Sequence, residues 1–124
     1  MNRSLHVLAD LHGCKGDPKY LTNVKAVQKK ILEMVKRAGF TIVHHNFHKF
    51  KPGTNATDGG ITGVIVVSES HLAFHTWPEK KFVNFDVFFC NYSQDNSKKA
   101  RSIFKEFSSL YKPGKVKRRE VWRD

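Results

Sequence analysis

Ile61-Thr62-Gly63-Val64-Ile65-Val66-Val67-Ser68-Glu69-Ser70-His71-Leu72-Ala73-Phe74-His75-Thr76-Trp77-Pro78-Glu79 occupies the middle of a 124-residue chain, and its reading fixes the rest. Ile61 to Ser68 is a β-branched apolar run, the composition of a buried strand. His71 to Thr76 reads as the next strand, Trp77 to Lys81 as a turn built on Trp-Pro-Glu, and Phe82 to Cys90 as a further strand. Hydroxyl, imidazole, carboxylate and thiol groups are thereby gathered at the ends of adjacent strands.

Outward from this centre the chain alternates strands with amphipathic helices. Ser4 to Leu11 alternates as a strand, and residues 13–19 form a loop of turn formers. Val24, Val27, Ile31, Met34, Val35 and Ala38 recur at helical spacing between a Thr22 cap and a Gly39 stop. Thr41 to Phe50 is the next strand, and residues 51–60 are a flexible loop by composition. Ala100, Ile103, Phe104, Phe107, Leu110 and Tyr111 mark a second helix ended by Pro113-Gly114, and Lys115 to Trp122 closes as a strand with a basic outer face. The order, written βαβββαβ, predicts an α+β fold: a two-layer sandwich of an antiparallel sheet with two helices on one face. One domain, 1–124, suits a chain of this length.

Composition narrows the function classes. No run of about eighteen apolar residues exists and the N-terminal residues form no hydrophobic signal region, so neither membrane insertion nor secretion is expected. Two cysteines, Cys14 and Cys90, make no disulfide framework, which fits a cytoplasmic location and leaves Cys90 free as a thiol. The formal net charge is +11, and residues 98–124 hold ten Lys or Arg against three acids. A basic nucleic-acid-binding module with Trp122 and Tyr111 for stacking is therefore the rival from another class. Against it, Phe104, Phe107 and Tyr111 lie on the helix's apolar stripe, and no recognised nucleic-acid motif is present.

The central residues by themselves leave several chemistries open. A serine beside a histidine suggests a hydrolase, but there is no Gly-x-Ser-x-Gly elbow and no evident third triad member. His44, His45, His48, His71, His75 and Cys90 form a loose set without the spacing of a closed metal site, so no metal is expected. Taken singly, each residue also fits a half-exposed sheet surface, and Cys90 fits a buried strand end.

Taken together, Ser-Glu-Ser-His-Leu-x-x-His-Thr-Trp-Pro-Glu at 68–79, Phe85-Asp86-Val87-Phe88-Phe89-Cys90, Phe47-His48-Lys49-Phe50 and the opening His6 to Cys14 resemble the pyruvoyl-dependent S-adenosylmethionine decarboxylases of the short prokaryotic type. The resemblance covers nearly the whole chain. It implies a proenzyme that cuts itself between Glu69 and Ser70, giving a β chain 1–69 and an α chain 70–124, with Ser70 becoming the pyruvoyl cofactor. It implies processing roles for His75 in proton transfer and, with less direct correspondence, for Thr62, where the family usually has serine. Thr62 keeps the hydroxyl and adds a methyl that stiffens its rotamer.

The same resemblance implies that substrate forms a Schiff base with the pyruvoyl, that Cys90 returns a proton after carbon dioxide leaves, and that Phe50, Trp77 and Glu79 bind substrate. Phe50 and Trp77 would sandwich the adenine and Glu79 would hold the ribose hydroxyls. The implied substrate is S-adenosylmethionine, the implied pathway spermidine synthesis, and the implied assembly a homodimer with shared active sites. Ornithine or arginine remains the alternative substrate class, because the self-cleavage motif does not separate them. Position 12 is His where relatives carry an aromatic, Asn91 stands where glycine is common, and 51–60 looks like an insertion, either a surface excursion or a lid. Ser70 and His75 have opposite parity along a regular strand, so their cooperation within one chain requires a bend or bulge near Ser70.

Overall fold

The computed structural model describes residues 3–53, 57–91 and 94–124. Six strands form one antiparallel sheet: β1 (Ser4–His12), β2 (His44–Lys49), β3 (Ile61–Val67), β4 (Ser70–Trp77), β5 (Phe82–Phe89) and β6 (Lys115–Arg123), in the spatial order β2-β3-β4-β5-β1-β6. The helices are α1 (Lys19–Thr22), α2 (Val24–Arg37) and α3 (Ser97–Tyr111), with a 3-10 turn at Pro78–Lys80. The α+β two-layer sandwich is as expected. The four segments read as strands between the two long helices are all present, as β2 to β5, so the written order βαβββαβ counts one strand too few. The loop expected at 13–19 also runs into α1, which is too short to show in a periodicity window.

Strand alternation sorts the residues into two layers. Leu5, Val7, Ala9 and Leu11 of β1, Ile61, Ile65 and Val67 of β3, Leu72 and Phe74 of β4, and Val83, Phe85, Val87 and Phe89 of β5 are buried. They meet Val27, Ile31, Met34 and Val35 of α2 and Ala100, Ile103, Phe104, Phe107 and Tyr111 of α3. Phe107 sits at the centre, stacked on Phe85 at 4.1 Å and edge-on to Phe74 at 5.5 Å. Such aromatic pairs add to simple burial. The alternate residues of β1, β3, β4 and β5 point to the other side, on which no helix packs among the described residues.

Local chemistry explains the element ends. Asn23, not Thr22, caps α2: its Oδ1 accepts from the Ala26 N–H at 3.0 Å, satisfying a donor the helix itself leaves unpaired. Gly39 follows the helix with φ of 93°, the left-handed conformation that glycine adopts without a Cβ clash. Gly63 of β3 is required for a different reason. A Cβ there would lie 2.3 Å from the Phe74 ring, so only glycine lets Phe47 and Phe74 close over the strand.

Candidate active site

Val67 and Ser70 pair across a two-residue turn made of Ser68 and Glu69. Ser68 has φ of 46°, a left-handed conformation that costs a non-glycine residue about 1–2 kcal/mol. The Glu69–Ser70 peptide bond therefore lies one residue beyond a strained residue, at the start of β4. Ser70 is 8% exposed, and its Oγ accepts a hydrogen bond from the Cys90 backbone N–H at 2.7 Å. The Cys90 Sγ lies 3.7 Å from Glu69 Oε2, oriented to donate. Phe40, Val67, Ser68, Glu69, Ser70, Cys90, Gln94 and Asn96 line a cavity of about 380 Å³ beside them.

Two asparagines fix the Cys90 end. Asn91 is 3% exposed; its backbone N–H donates to Ser4 Oγ at 2.9 Å, its Nδ2 to the Arg3 carbonyl at 2.7 Å, and its Oδ1 accepts from the Asn96 N–H at 2.7 Å. Asn96 Nδ2 in turn donates to the Cys90 carbonyl at 2.9 Å. Asn91 thus stands where a side chain, and not a bare glycine, ties down the loop that presents the thiol. The composition of 91–96 signals only a turn, so this pinning role was not legible in the sequence.

The other predicted residues lie at the opposite end of the hairpin. Thr62 and His75 are register partners on β3 and β4, with Thr62 Oγ1 2.8 Å from His75 Nδ1. Trp77 Nε1 donates to Asn84 Oδ1 at 3.0 Å, and the Lys80 ammonium lies 5.5 Å from the centre of its ring. Phe50 directly follows β2, which ends at Lys49 and not at Phe50 as expected; its N–H donates to the Gly60 carbonyl at 2.9 Å and its ring is edge-on to His48 at 4.7 Å. Glu79 accepts from Thr57 Oγ1 at 2.8 and 3.1 Å and from the Asp58 N–H at 3.2 Å. Burial alone would raise the Glu79 carboxyl, but the bonds from Thr57 and Asp58 and the nearby Lys80 outweigh it and hold the pKa below its ordinary value. Thr57 and Asp58 of the 51–60 loop are thereby bonded to the Trp-Pro-Glu turn; residues 54–56 lie outside the described residues.

The bulge required near Ser70 is not there. The pairs Val67–Ser70, Val66–His71, Ile65–Leu72, Val64–Ala73, Gly63–Phe74 and Thr62–His75 run in unbroken register. Ser70 shares the helix-side face with Leu72 and Phe74, while His75 lies on the open face; five residues of extended strand separate them by about 17 Å. The regular ladder wins because each residue on one side of β4 is buried, and a one-residue slip would turn that whole set outward. Within one chain the predicted residues form two groups: Glu69, Ser70 and Cys90 at one end, and Thr62, His75, Trp77, Glu79 and Phe50 at the other.

A third group escaped the sequence reading. On the open face Asp86 Oδ1 accepts from His6 Nε2 at 3.1 Å and from His71 Nε2 at 3.2 Å. Burial would raise the Asp86 carboxyl, but these two bonds and the histidine charges lower it overall. Period-two alternation could have placed each residue on that face, but only the cross-strand register shows that three strands bring them together.

Residues 5–124 match the profile of the family described as S-adenosylmethionine decarboxylase. The chain belongs to the S-adenosylmethionine decarboxylase family. Among relatives, it is 40% identical over 116 residues to the S-adenosylmethionine decarboxylase proenzyme of Carboxydothermus hydrogenoformans, an alignment covering 94% of this chain and 85% of that protein. The proenzyme of Acetivibrio thermocellus is 42% identical over 85 residues, 68% of this chain and 62% of that one. The crystal structure of the adenosylmethionine decarboxylase from Aquifex aeolicus superposes with a TM-score of 0.82 at 26% identity, covering 98% of this chain and 91% of that chain.

Family membership agrees with an enzyme and not with the nucleic-acid module, and the structure removes part of that rival's footing. Phe104, Phe107 and Tyr111 are buried, and Trp122, though 41% exposed, lies 6.0 Å from the Arg101 guanidinium. No helix among the described residues is long and apolar enough to cross a membrane.

Proposed function

We propose that this S-adenosylmethionine decarboxylase family member is a proenzyme that cleaves itself between Glu69 and Ser70 and then decarboxylates S-adenosylmethionine. The observation that carries the reading is the Ser70 hydroxyl, held by the Cys90 N–H on the first residue after the strained Ser68-Glu69 turn. In the cleavage, Ser70 Oγ attacks the Glu69 carbonyl carbon. The C–N bond breaks as the C–O bond of an ester forms, and the Ser70 nitrogen takes up the proton. Loss of the Ser70 α-proton then expels the Glu69 carboxylate by β-elimination. Hydrolysis of the resulting dehydroalanine releases ammonia and leaves a pyruvoyl group at the start of 70–124.

The residues present suit that group: a half-enclosed cavity, a backbone N–H at the reacting oxygen and a thiol beside it. The pyruvoyl supplies a ketone for the substrate's amino group and an electron sink for the departing carbon dioxide. Cys90 Sγ holds the proton returned to the substrate's α-carbon. Glu79, kept ionised by Thr57 and Asp58, offers a carboxylate to the ribose hydroxyls, and Phe50 and Trp77 offer faces to the adenine and the sulfonium.

The separation of the two residue groups supports a homodimer of processed protomers. Seating the Ser70–Cys90 end of one copy against the Thr62–His75 end of the other puts both groups into each site, and two-fold symmetry then makes two equal sites. His75, coupled to the Thr62 hydroxyl, is the proton-transfer group for elimination. Decarboxylated product serves as an aminopropyl donor for spermidine synthesis in a cytoplasmic setting.

Intact mass under denaturing conditions tests the reading first. Fragments 1–69 and 70–124, the second carrying pyruvoyl in place of serine, are expected, and carbon dioxide release from S-adenosylmethionine should exceed that from ornithine or arginine. A single uncut chain that is active on none of the three would overturn it.

A further inference from the structure

The open face of the sheet holds a constellation that the decarboxylase reading does not use. His6 of β1 and His71 of β4 are both register partners of Phe88 on β5, one on each side of it, and both rings pack on the Phe88 ring at 5.6 and 5.9 Å. From there the two imidazoles reach the neighbouring same-face residue of β5, Asp86. Their Nε2 atoms lie 3.1 and 3.2 Å from one carboxylate oxygen, and all three donor atoms are within 4.8 Å of one another. The side chains of His6, Asp86 and His71 are 16%, 34% and 39% exposed, so the cluster is half-covered by the sheet and open on its outer side.

We propose that His6, His71 and Asp86 form a binding site for a divalent first-row transition metal ion, Zn²⁺ fitting best. Two imidazoles and one carboxylate are the three-ligand set of many such sites, with the remaining position left to water or another ligand. The spacing agrees. Ligands of a tetrahedral Zn²⁺ with bonds near 2.0–2.1 Å stand about 3.3 Å apart, close to the two nitrogen–oxygen distances. The two imidazole nitrogens stand within 4.8 Å of each other. All three residues sit on paired strands, β1, β5 and β4, so the donor set is held by rigid elements and not by a loop.

One neighbour opposes the ion. The Arg123 guanidinium lies 3.4 Å from His6 Nδ1 and 4.7 Å from the Phe88 ring centre. When Nε2 ligates a metal, the neutral ring carries its proton on Nδ1, so this contact opens and the guanidinium charge weakens binding. Removing it should tighten the site. His71 directly follows Ser70, so an ion there ties the start of the 70–124 chain to β5 and β1 after cleavage. That consequence rests on the proposed processing; the site itself does not.

The test is titration of chelator-stripped, purified protein with Zn²⁺ by calorimetry and with Co²⁺ by visible absorption. One ion per chain and the ligand-field bands of low-coordinate Co²⁺ are expected. Asp86→Asn and His71→Ala should each weaken binding by more than about 100-fold, since even residues that merely orient ligands cost 10–100-fold. His45→Ala on β2 should leave it unchanged, and Arg123→Ala should strengthen it. Zn²⁺ should raise the melting temperature of the parent protein and not that of Asp86→Asn, whose circular dichroism in the absence of metal checks its fold. Ser70→Ala protein, which never cleaves under the proposed mechanism, should bind with the same stoichiometry, so the site and the processing reading succeed or fail separately. No saturable binding, or binding that survives both Asp86→Asn and His71→Ala, would reduce the cluster to a hydrogen-bonded group and overturn the proposal.

Discussion

The two ends of the β3–β4 hairpin differ in kind although they belong to the same pair of strands. At the turn end a strained backbone, a hydroxyl held by an N–H and a thiol surround one peptide bond. At the far end a Thr–His pair, a tethered carboxylate and aromatic rings gather with no backbone strain at the paired residues. On the proposed reading the first end has the bond to be cut and the thiol that returns a proton but, among the described residues, no imidazole and no group to recognise an adenosine. The second has the reverse. A regular six-pair ladder keeps them about 17 Å apart, so under the proposed function each chain supplies two half-sites that a second chain completes.

The largest expected effect breaks the turn end outright. Ser70→Ala should abolish both fragments and all activity, read as one uncut mass and no carbon dioxide release. An uncut variant with activity would show that the turn end is not where the electrophile arises.

The sharpest comparison mixes the two ends. Ser70→Ala and His75→Ala chains, each inactive alone, should recover about a quarter of parental activity when co-expressed, because half of randomly paired two-fold dimers then carry one intact site. No recovery would confine each site to a single chain and require rearrangement around β4.

Smaller effects separate the roles within each end. Cys90→Ala should leave cleavage largely intact and lower kcat by about 10²–10⁴, the range for loss of a positioned proton donor, by single-turnover kinetics. Glu79→Gln should raise KM for S-adenosylmethionine by about tenfold with kcat nearly kept, the mark of lost binding common to ground and transition states. Equal loss in both parameters would move Glu79 into the chemical step.

The smallest effect concerns stability away from both ends. The Arg101 bond, joined by Arg118, outweighs the burial of Glu120 and lowers its pKa to about 2 from an ordinary 4.5. A carboxylate lowered in the folded state contributes stability above its unfolded value and loses it as pH falls through the folded one. Stability should therefore drop between about pH 4.5 and 2, and Arg101→Ala should flatten that slope in an acid-denaturation series. An unchanged slope would make the pair a solvated surface contact.

Much of this was legible in the residues because the physics involved is local. The alternation of β5 and the 3.6-residue recurrence of α3 state which side of each element is apolar, and Phe104, Phe107 and Tyr111 are buried as that recurrence required. The Ser68-Glu69-Ser70 motif, the thiol at Cys90 and the acid of Trp-Pro-Glu were visible as chemistry without any fold. Both strands of the central hairpin were legible on either side of Ser68-Glu69, and the written strand order was one short only in its count; what the residues did not show is the tight two-residue turn, since Ser68-Glu69 contains neither Gly nor Pro.

What tertiary structure alone decided is which of these groups meet. The pairing of Cys90 with Ser70 across twenty residues, the union of His6, Asp86 and His71 from three strands, and the separation of Ser70 from His75 all follow from register. Register is fixed by how a whole buried face packs against α2 and α3, a sum over residues distant in sequence. A chain read in order carries the faces of its strands in its own period, but their alignment with one another is set only when the shared core closes.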